Sequence, residues 1–180
     1  MNLIVNVDLD WGIGFNESLL ERISDDMKFF RKTTIGKVVI LGRKTLASFP
    51  SGRPLKDRTN IILTTDTSFK RDEAIICNSI EDLFNKILQY NSEDIFVVGG
   101  ETVYRQLLPY CSKAYVTKNY KHHCANKFFS NLDSDSDWIL TEIGPIQFFN
   151  EIQFNFNTYE NRNPKESSAC HRDRKLCTCE

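Results

Sequence analysis

The chain has 180 residues, 41% apolar and 26% charged, the profile of one globular domain with room for a real core. A formal net charge of −1 excludes a broadly basic surface for nucleic acid or an anionic membrane, so any anion site has to be made locally. No apolar run approaches the length of a membrane span, and Met1 to Asp8 lacks the basic region and long apolar stretch of a secretory signal.

In chain order, Leu3-Ile4-Val5-Asn6-Val7 is a short apolar run that predicts a buried strand. The stretch Asp8 to Asn16, with Gly12 and Gly14, predicts a loop. Ser24-Asp25-Asp26 opens a helix, with Ser24 as the cap and the acids in the first turn, running to about Thr34. Val38 to Leu41 is a second buried strand, and Gly42-Arg43-Lys44-Thr45 opens a short helix after it. Phe49 to Pro54 is a loop; Asn60 to Thr64 and Ala74 to Cys77 are further strands. Ile80, Leu83, Phe84, Ile87 and Leu88 recur at helical spacing. Asp94 to Val98 is a fifth strand closed by Gly99-Gly100, and a helix runs from Glu101 to Leu108.

Alternating strands and helices predict an α/β fold around a mostly parallel sheet covered by helices. The end differs: Lys113 to Asn119 is strand-like, and Ile152, Phe154 and Phe156 alternate with Gln153, Asn155 and Asn157, as in a half-exposed antiparallel strand. The expectation is a single domain over residues 1–162, its mixed sheet carrying an antiparallel C-terminal edge. Residues 163–180 turn polar and Cys-rich and read as a disordered tail outside the fold. Cys170, His171, Cys177 and Cys179 could ligate zinc, but the spacing is tighter than a zinc finger's, and no metal is expected. Without a signal segment, the six cysteines predict free thiols and a cytoplasmic protein rather than a disulfide framework.

Three features carry chemistry. Gly42-Arg43-Lys44-Thr45 and Gly99-Gly100-Glu101-Thr102-Val103-Tyr104 each come directly after a buried strand. Ligands of parallel sheets bind at strand carboxyl ends, and glycine lets a phosphate approach the backbone. Two such ends suit a dinucleotide, and Arg43 and Lys44 favour one with a ribose 2′-phosphate. Each motif alone also reads as a tight turn or a solvated face. Asp26 shares a helix face with Phe30, and a carboxylate among aromatics has a raised pKa. Position alone does not say whether Asp25 or Asp26 faces inward. Arg58, ahead of a buried strand, could hold a carboxylate or be an exposed structural arginine.

These pieces occur in a family order. From about residue 2 to about residue 161 the chain resembles dihydrofolate reductases. The resemblance rests on Val7-Asp8 before Trp11-Gly12-Ile13-Gly14, Leu19-Leu20 before Ser24 to Phe30, and Val39 to Thr45. It continues in Gly52-Arg53-Pro54-Leu55 with Arg58 to Ile61, Val97 to Gly100 with Val103-Tyr104, Tyr115-Val116-Thr117, and Phe156 to Glu160. It implies an NADPH-dependent reductase that converts 7,8-dihydrofolate to 5,6,7,8-tetrahydrofolate by hydride transfer to pterin C6. Asp26, not Asp25, falls on the family's catalytic carboxylate, which binds the pterin edge and supports N5 protonation through a water. Thr117 falls on the hydroxyl bonded to it.

By the same resemblance, Ile4, Val5, Phe30 and Leu55 line the pterin and benzoyl pocket, and Arg58, helped by Arg53, clamps the substrate's glutamate. Asn6, Ile13 and Gly14 meet the nicotinamide half. Gly42, Arg43, Lys44, Thr45, Thr64 and Thr65 hold the adenosine phosphates. Val98, Gly99, Gly100, Glu101, Thr102, Val103 and Tyr104 wrap the pyrophosphate. Residues Leu9 to Ile23 form a mobile lid. The expected partner is the small-molecule substrate, with no nucleic acid and no membrane, and the expected state is a monomer.

Four departures stand out. Glu21 replaces a common aromatic near the proton-relay water and bears on the pH profile. Asn6 replaces a common alanine. Glu101 and Thr102 replace a frequent glycine and arginine, which weakens 2′-phosphate discrimination. Asn126 replaces an aspartate that steadies the closed lid. The riboflavin-pathway reductase of similar fold lacks the Asp–Phe pair and the clamping arginine, so Asp26, Phe30 and Arg58 argue against it. A non-catalytic folate-binding relative is the other alternative.

Overall fold

Short apolar runs of four to six residues, punctuated by glycine and proline, leave little choice but strands buried on both faces. The computed structural model describes residues 1–166. Its elements are β1 (Asn2–Val7), β2 (Gly12–Gly14), α1 (Ser24–Thr34), β3 (Val38–Gly42), α2 (Arg43–Ser48), β4 (Thr59–Leu63), β5 (Ala74–Cys77), α3 (Ile80–Ile87), β6 (Ile95–Gly99), α4 (Glu101–Leu107), β7 (Lys113–Asn119), β8 (Lys127–Phe128), β9 (Trp138–Ile143), β10 (Gln147–Phe149) and β11 (Ile152–Asn161).

One nine-stranded sheet runs in the order β10-β11-β7-β1-β6-β3-β4-β5, with β9 also pairing with β11. Pairing is parallel from β7 through β5 and antiparallel where β11 meets β7, β9 and β10. The expected mixed sheet with an antiparallel edge is therefore present. That edge is broader than the sequence suggested, because β9 and β10 lie outside β11. Covered this way, Asn155 and Asn157 are buried rather than exposed, and they bond to each other at 3.1 Å.

Side-chain alternation along β1 sorts the core. Leu3, Val5 and Val7 join the cluster that packs under α3 and α4. Ile4 joins the opposite cluster with Val39, Leu41, Phe96 and Val98, against which Phe29 and Phe30 of α1 pack. Asn6 is two residues beyond Ile4 and so turns toward α1. In the β1–β7 register Asn6 lies opposite Thr117.

Two local expectations need correction. Ser24 does not cap α1; it is the first helical residue, and Ile23 takes the cap position without a side-chain bond. Asp25 and Asp26 in the first turn, with Arg31 and Lys32 in the last, still complement the helix dipole. The boundary at 162 is not sharp either. Arg162 N–H donates to the Asp137 carbonyl at 2.7 Å and Lys165 N–H to that of Pro109 at 2.8 Å. Cys170, His171, Cys177 and Cys179 lie outside the described residues, and the reading of the tail with them. Cys77, Cys111 and Cys124 are free thiols. No described helix is long and apolar enough to cross a membrane.

Leu3 is fully buried at the centre of the larger cluster. Leu3→Ala is expected to cost about 2–5 kcal/mol of stability, read by urea unfolding.

Candidate active site

The parallel strands deliver their carboxyl ends to one side of the sheet, and a cleft of about 510 Å³ opens there. It is lined by the residues just past each strand: Gly42 to Thr45 at the end of β3, Thr64 and Thr65 after β4, Asn78 to Ile80 after β5, and Gly99 to Tyr104 at the end of β6. Val5 and Asn6 form its floor, and Ile13, Gly14 and Leu19 border it from the lid side. Every residue the sequence assigned to the cofactor lies on this one lining, Val98 included.

Backbone, not side chain, shapes the middle of the cleft. Gly99 has φ +124°, and the Gly99–Gly100 peptide is cis. A Cβ on Gly100 would stand 2.9 Å from the Thr45 hydroxyl. Two glycines are thus required where the β6 end meets the start of α2. The result is a side-chain-free cradle between two helix starts, which fits the pyrophosphate of a dinucleotide. Arg43 is held by Asp66 at 3.1 Å and lies over the Phe69 ring. Lys44 is exposed, with Glu17 of the lid 4.0 Å away. Tyr104 reaches from α4 to donate to the Ile4 carbonyl at 2.7 Å, and burial pushes its phenol well above the ordinary value.

Asp26 stands beside the cleft, bonded to Asn6 of its lining. Thr117 donates to one carboxylate oxygen at 2.6 Å and the Asn6 amide to the other at 3.1 Å. Asp25 instead pairs with exposed Lys28 at 2.8 Å. The structure therefore turns Asp26 inward and Asp25 outward. Burial raises the Asp26 pKa, against the opposing pull of the Thr117 and Asn6 hydrogen bonds. A carboxyl in this state can move between charged and neutral forms nearer neutrality than a surface acid.

Ile4, Phe29, Phe30, Phe49 and Leu55 pack into an apolar wall on the same face as Asp26. Val5 departs from that group: its side chain belongs to the opposite cluster, and it meets the cleft instead. Arg58 closes the far end of the wall. It donates to the Thr34 hydroxyl at 3.1 Å, the Lys56 carbonyl at 2.8 Å and the Arg31 carbonyl at 3.3 Å, which fixes the guanidinium beside the end of α1. Burial, then neighbouring Arg31, lowers its pKa, with Asp57 opposing. Arg53 is exposed.

The segment from Leu9 to Ile23 is tied to the β7–β8 connection. β2 pairs with β8, and Asn16 and Asn126 exchange bonds of 3.2 and 3.0 Å. Asn126 thus holds the segment expected to form a lid. Glu21 is turned to Lys121 and His123, both at 3.1 Å. Partial burial opposes its ionisation, but the hydrogen bonds from Lys121 and His123 outweigh it and hold the carboxyl below the usual range. Beside it, Asn6, Leu19 and Leu20 enclose a space of about 10 Å³, enough for one water.

Some site residues escaped the sequence reading. Asn78 to Ile80 form a third strand-end lining; Ser79 caps α3 by accepting from Asp82 N–H at 3.0 Å, a signal that was legible. Lys127 borders the cleft from β8, and Asn119 lies buried behind Asn6; neither had a local signal.

The family model described as dihydrofolate reductase matches residues 1–161. The dihydrofolate reductase of Staphylococcus haemolyticus is 40% identical over 162 residues, covering 89% of this chain and 95% of the relative. That of Bacillus subtilis is 30% identical over 171 residues, covering 94% and 99%. Among solved structures, the dihydrofolate reductase of Enterococcus faecalis, complexed with NADP(H) and RAB-propyl, superposes with a TM-score of 0.79 at 26% identity. That match covers 89% of this chain and 95% of the solved one. The chain belongs to the dihydrofolate reductase family.

Proposed function

We propose that this protein is an NADPH-dependent dihydrofolate reductase in which Asp26 is the catalytic carboxylate. The observation that carries the reading is the inward carboxylate of Asp26, held by Thr117 where a glycine-cradled cleft meets an apolar wall.

When bound, NADPH supplies the hydride that reduces pterin C6. Gly99 and Gly100, with Thr45 and the start of α4, hold its pyrophosphate, and Arg43, Lys44, Thr64 and Thr65 hold the adenosine end. Asp26 accepts hydrogen bonds from the amidine-like edge of the pterin, which orients the ring. Thr117 keeps the carboxylate in that orientation. Ile4, Phe30 and Leu55 sandwich the ring and the benzoyl group. Arg58 binds the substrate's carboxylate, with Arg53 at the rim.

Protonation of N5 falls to a water. Tyr104 is committed to the Ile4 carbonyl and Glu21 to Lys121 and His123, so neither serves as the acid. Asp26 supports that proton transfer through its charge and through the bound ring. The lid excludes bulk water, which strengthens these interactions.

Three outcomes test this reading. Asp26→Asn is expected to lower NADPH-dependent turnover of dihydrofolate by at least about 100-fold, followed by NADPH absorbance, while NADPH affinity holds within about twofold. The same substitution carries a stability signature. A carboxyl whose folded pKa is raised contributes stability that is complete below its unfolded pKa and lost as pH rises through the folded value. Asp26→Asn is therefore expected to melt higher than the parent at about pH 7 and to lose that advantage by about pH 3, in thermal denaturation. Gly100→Ala, which forces a Cβ against Thr45, is expected to weaken NADPH binding by about tenfold or more in a fluorescence titration.

A further inference from the structure

A carboxylate removed from water needs a cation or several donors to stay charged. Asp26 forms no salt bridge among the described residues, and the groups facing it are neutral. From β7 comes the Thr117 hydroxyl, from β1 the Asn6 amide, and from α4 the Tyr104 phenol, whose proton is given to Ile4. On its own helix, Asp25 is paired outward with Lys28. On the lid, Glu21 is paired with Lys121 and His123.

The asparagine has a partner of its own. Asn119 donates its amide to Asn6 Oδ1 at 3.0 Å, while Asn6 Nδ2 donates to Asp26 Oδ2 at 3.1 Å. The polarity of this chain is dictated by chemistry. An ionised carboxylate only accepts, so Asn6 must present Nδ2 to it and Oδ1 to Asn119. Asn119 must then present Nδ2 in turn. Its own Oδ1 is left buried without a hydrogen-bond partner. Rotating Asn119 to relieve that atom would set its oxygen against the oxygen of Asn6. The fold thus keeps one unsatisfied acceptor behind the Asn6–Asp26 bond, and an apolar side chain at 119 would only move the orphan to Asn6 Oδ1.

We propose that Asn6 and Asn119 form a buried positioning pair: Asn119 locks the Asn6 amide, and Asn6 fixes the second oxygen of Asp26 as Thr117 fixes the first. Each oxygen keeps a further lone pair, so the doubly anchored carboxylate still presents both oxygens to a two-donor substrate edge. Neither asparagine needs to touch the reacting atoms. The pair acts on the reaction through the orientation and charge of Asp26, and in that respect the inference rests on the function proposed above.

The test reads the carboxylate directly. In the cofactor-free protein labelled with ¹³C at aspartate Cγ, the Asp26 resonance is assigned by its loss in Asp26→Asn and titrated against pH. Asn6→Leu is expected to raise the Asp26 midpoint by about one pH unit, because a donor to the charged form is lost. Asn119→Leu, which removes the donor that holds Asn6 Oδ1, is expected to raise it by about half as much. The double variant is expected to match Asn6→Leu alone, since Asn119 works only through Asn6. An unmoved midpoint in Asn6→Leu, or additive shifts in the double variant, would overturn the pair. Turnover of the parent with NADPH and dihydrofolate separates the two readings. Expected titration shifts in a parent without turnover sustain the pair and sink the proposed function. An active parent whose midpoint ignores both substitutions sinks the pair alone.

Discussion

Parallel pairing of β1 with β6 on one side and β7 on the other is the constraint on which the site depends. A strand buried on both faces fixes the direction of every side chain along it, because a slip of one residue would exchange the two cores. Ile4 therefore faces α1, and Asn6 faces Asp26. The same register sets Asn6 opposite Thr117. Parallel connection also requires crossovers through helices, so the strands β1, β3, β4, β5 and β6 present their carboxyl ends together. The cleft is the consequence of that shared direction.

Into this frame the chain introduces one costly group. Asp26 is largely buried, with an apolar wall on its face and no cation in contact among the described residues. Uncharged donors compensate a carboxylate less than an arginine would, and its pKa is accordingly raised. That suits the role proposed for Asp26, binding a polar ring edge and supporting a proton transfer near neutrality. An arginine in contact with it would hold the charge too firmly. A cation stands instead beside the end of α1, where Arg58 is anchored by Thr34.

The lid is built differently. Its ties to the β7–β8 connection are a two-strand pairing, an exchange between Asn16 and Asn126, an ion pair of Glu21 with Lys121 and a contact of Glu21 with the His123 ring. Asp8 is the exception: it is fully buried and receives the N–H groups of Asp10, Gly12 and His123. The segment is thus firmly anchored at Asp8, while farther along it is held by exposed bonds at Asn16 and partly buried ones at Glu21.

The strands of the parallel half and the helix from Ser24 to Thr34 were legible in the residue pattern, because burial on both faces and a helical period are local signals. So were the two glycine-marked strand ends, and family order added the choice of Asp26 over Asp25. β2, β8, β9 and β10 were not legible. They are short, and they exist only through partners far along the chain. The burial of Asn155 and Asn157 was hidden for the same reason, since β9 and β10 supply the cover. The sequence by itself determined the fold class, the strand ends that make the cleft, and the carboxylate that serves it. Only the tertiary structure decided what surrounds that carboxylate. Asn6, Thr117 and Asn119 are up to 113 residues apart in hydrogen-bonded pairs, and no local preference records which amide will face which oxygen.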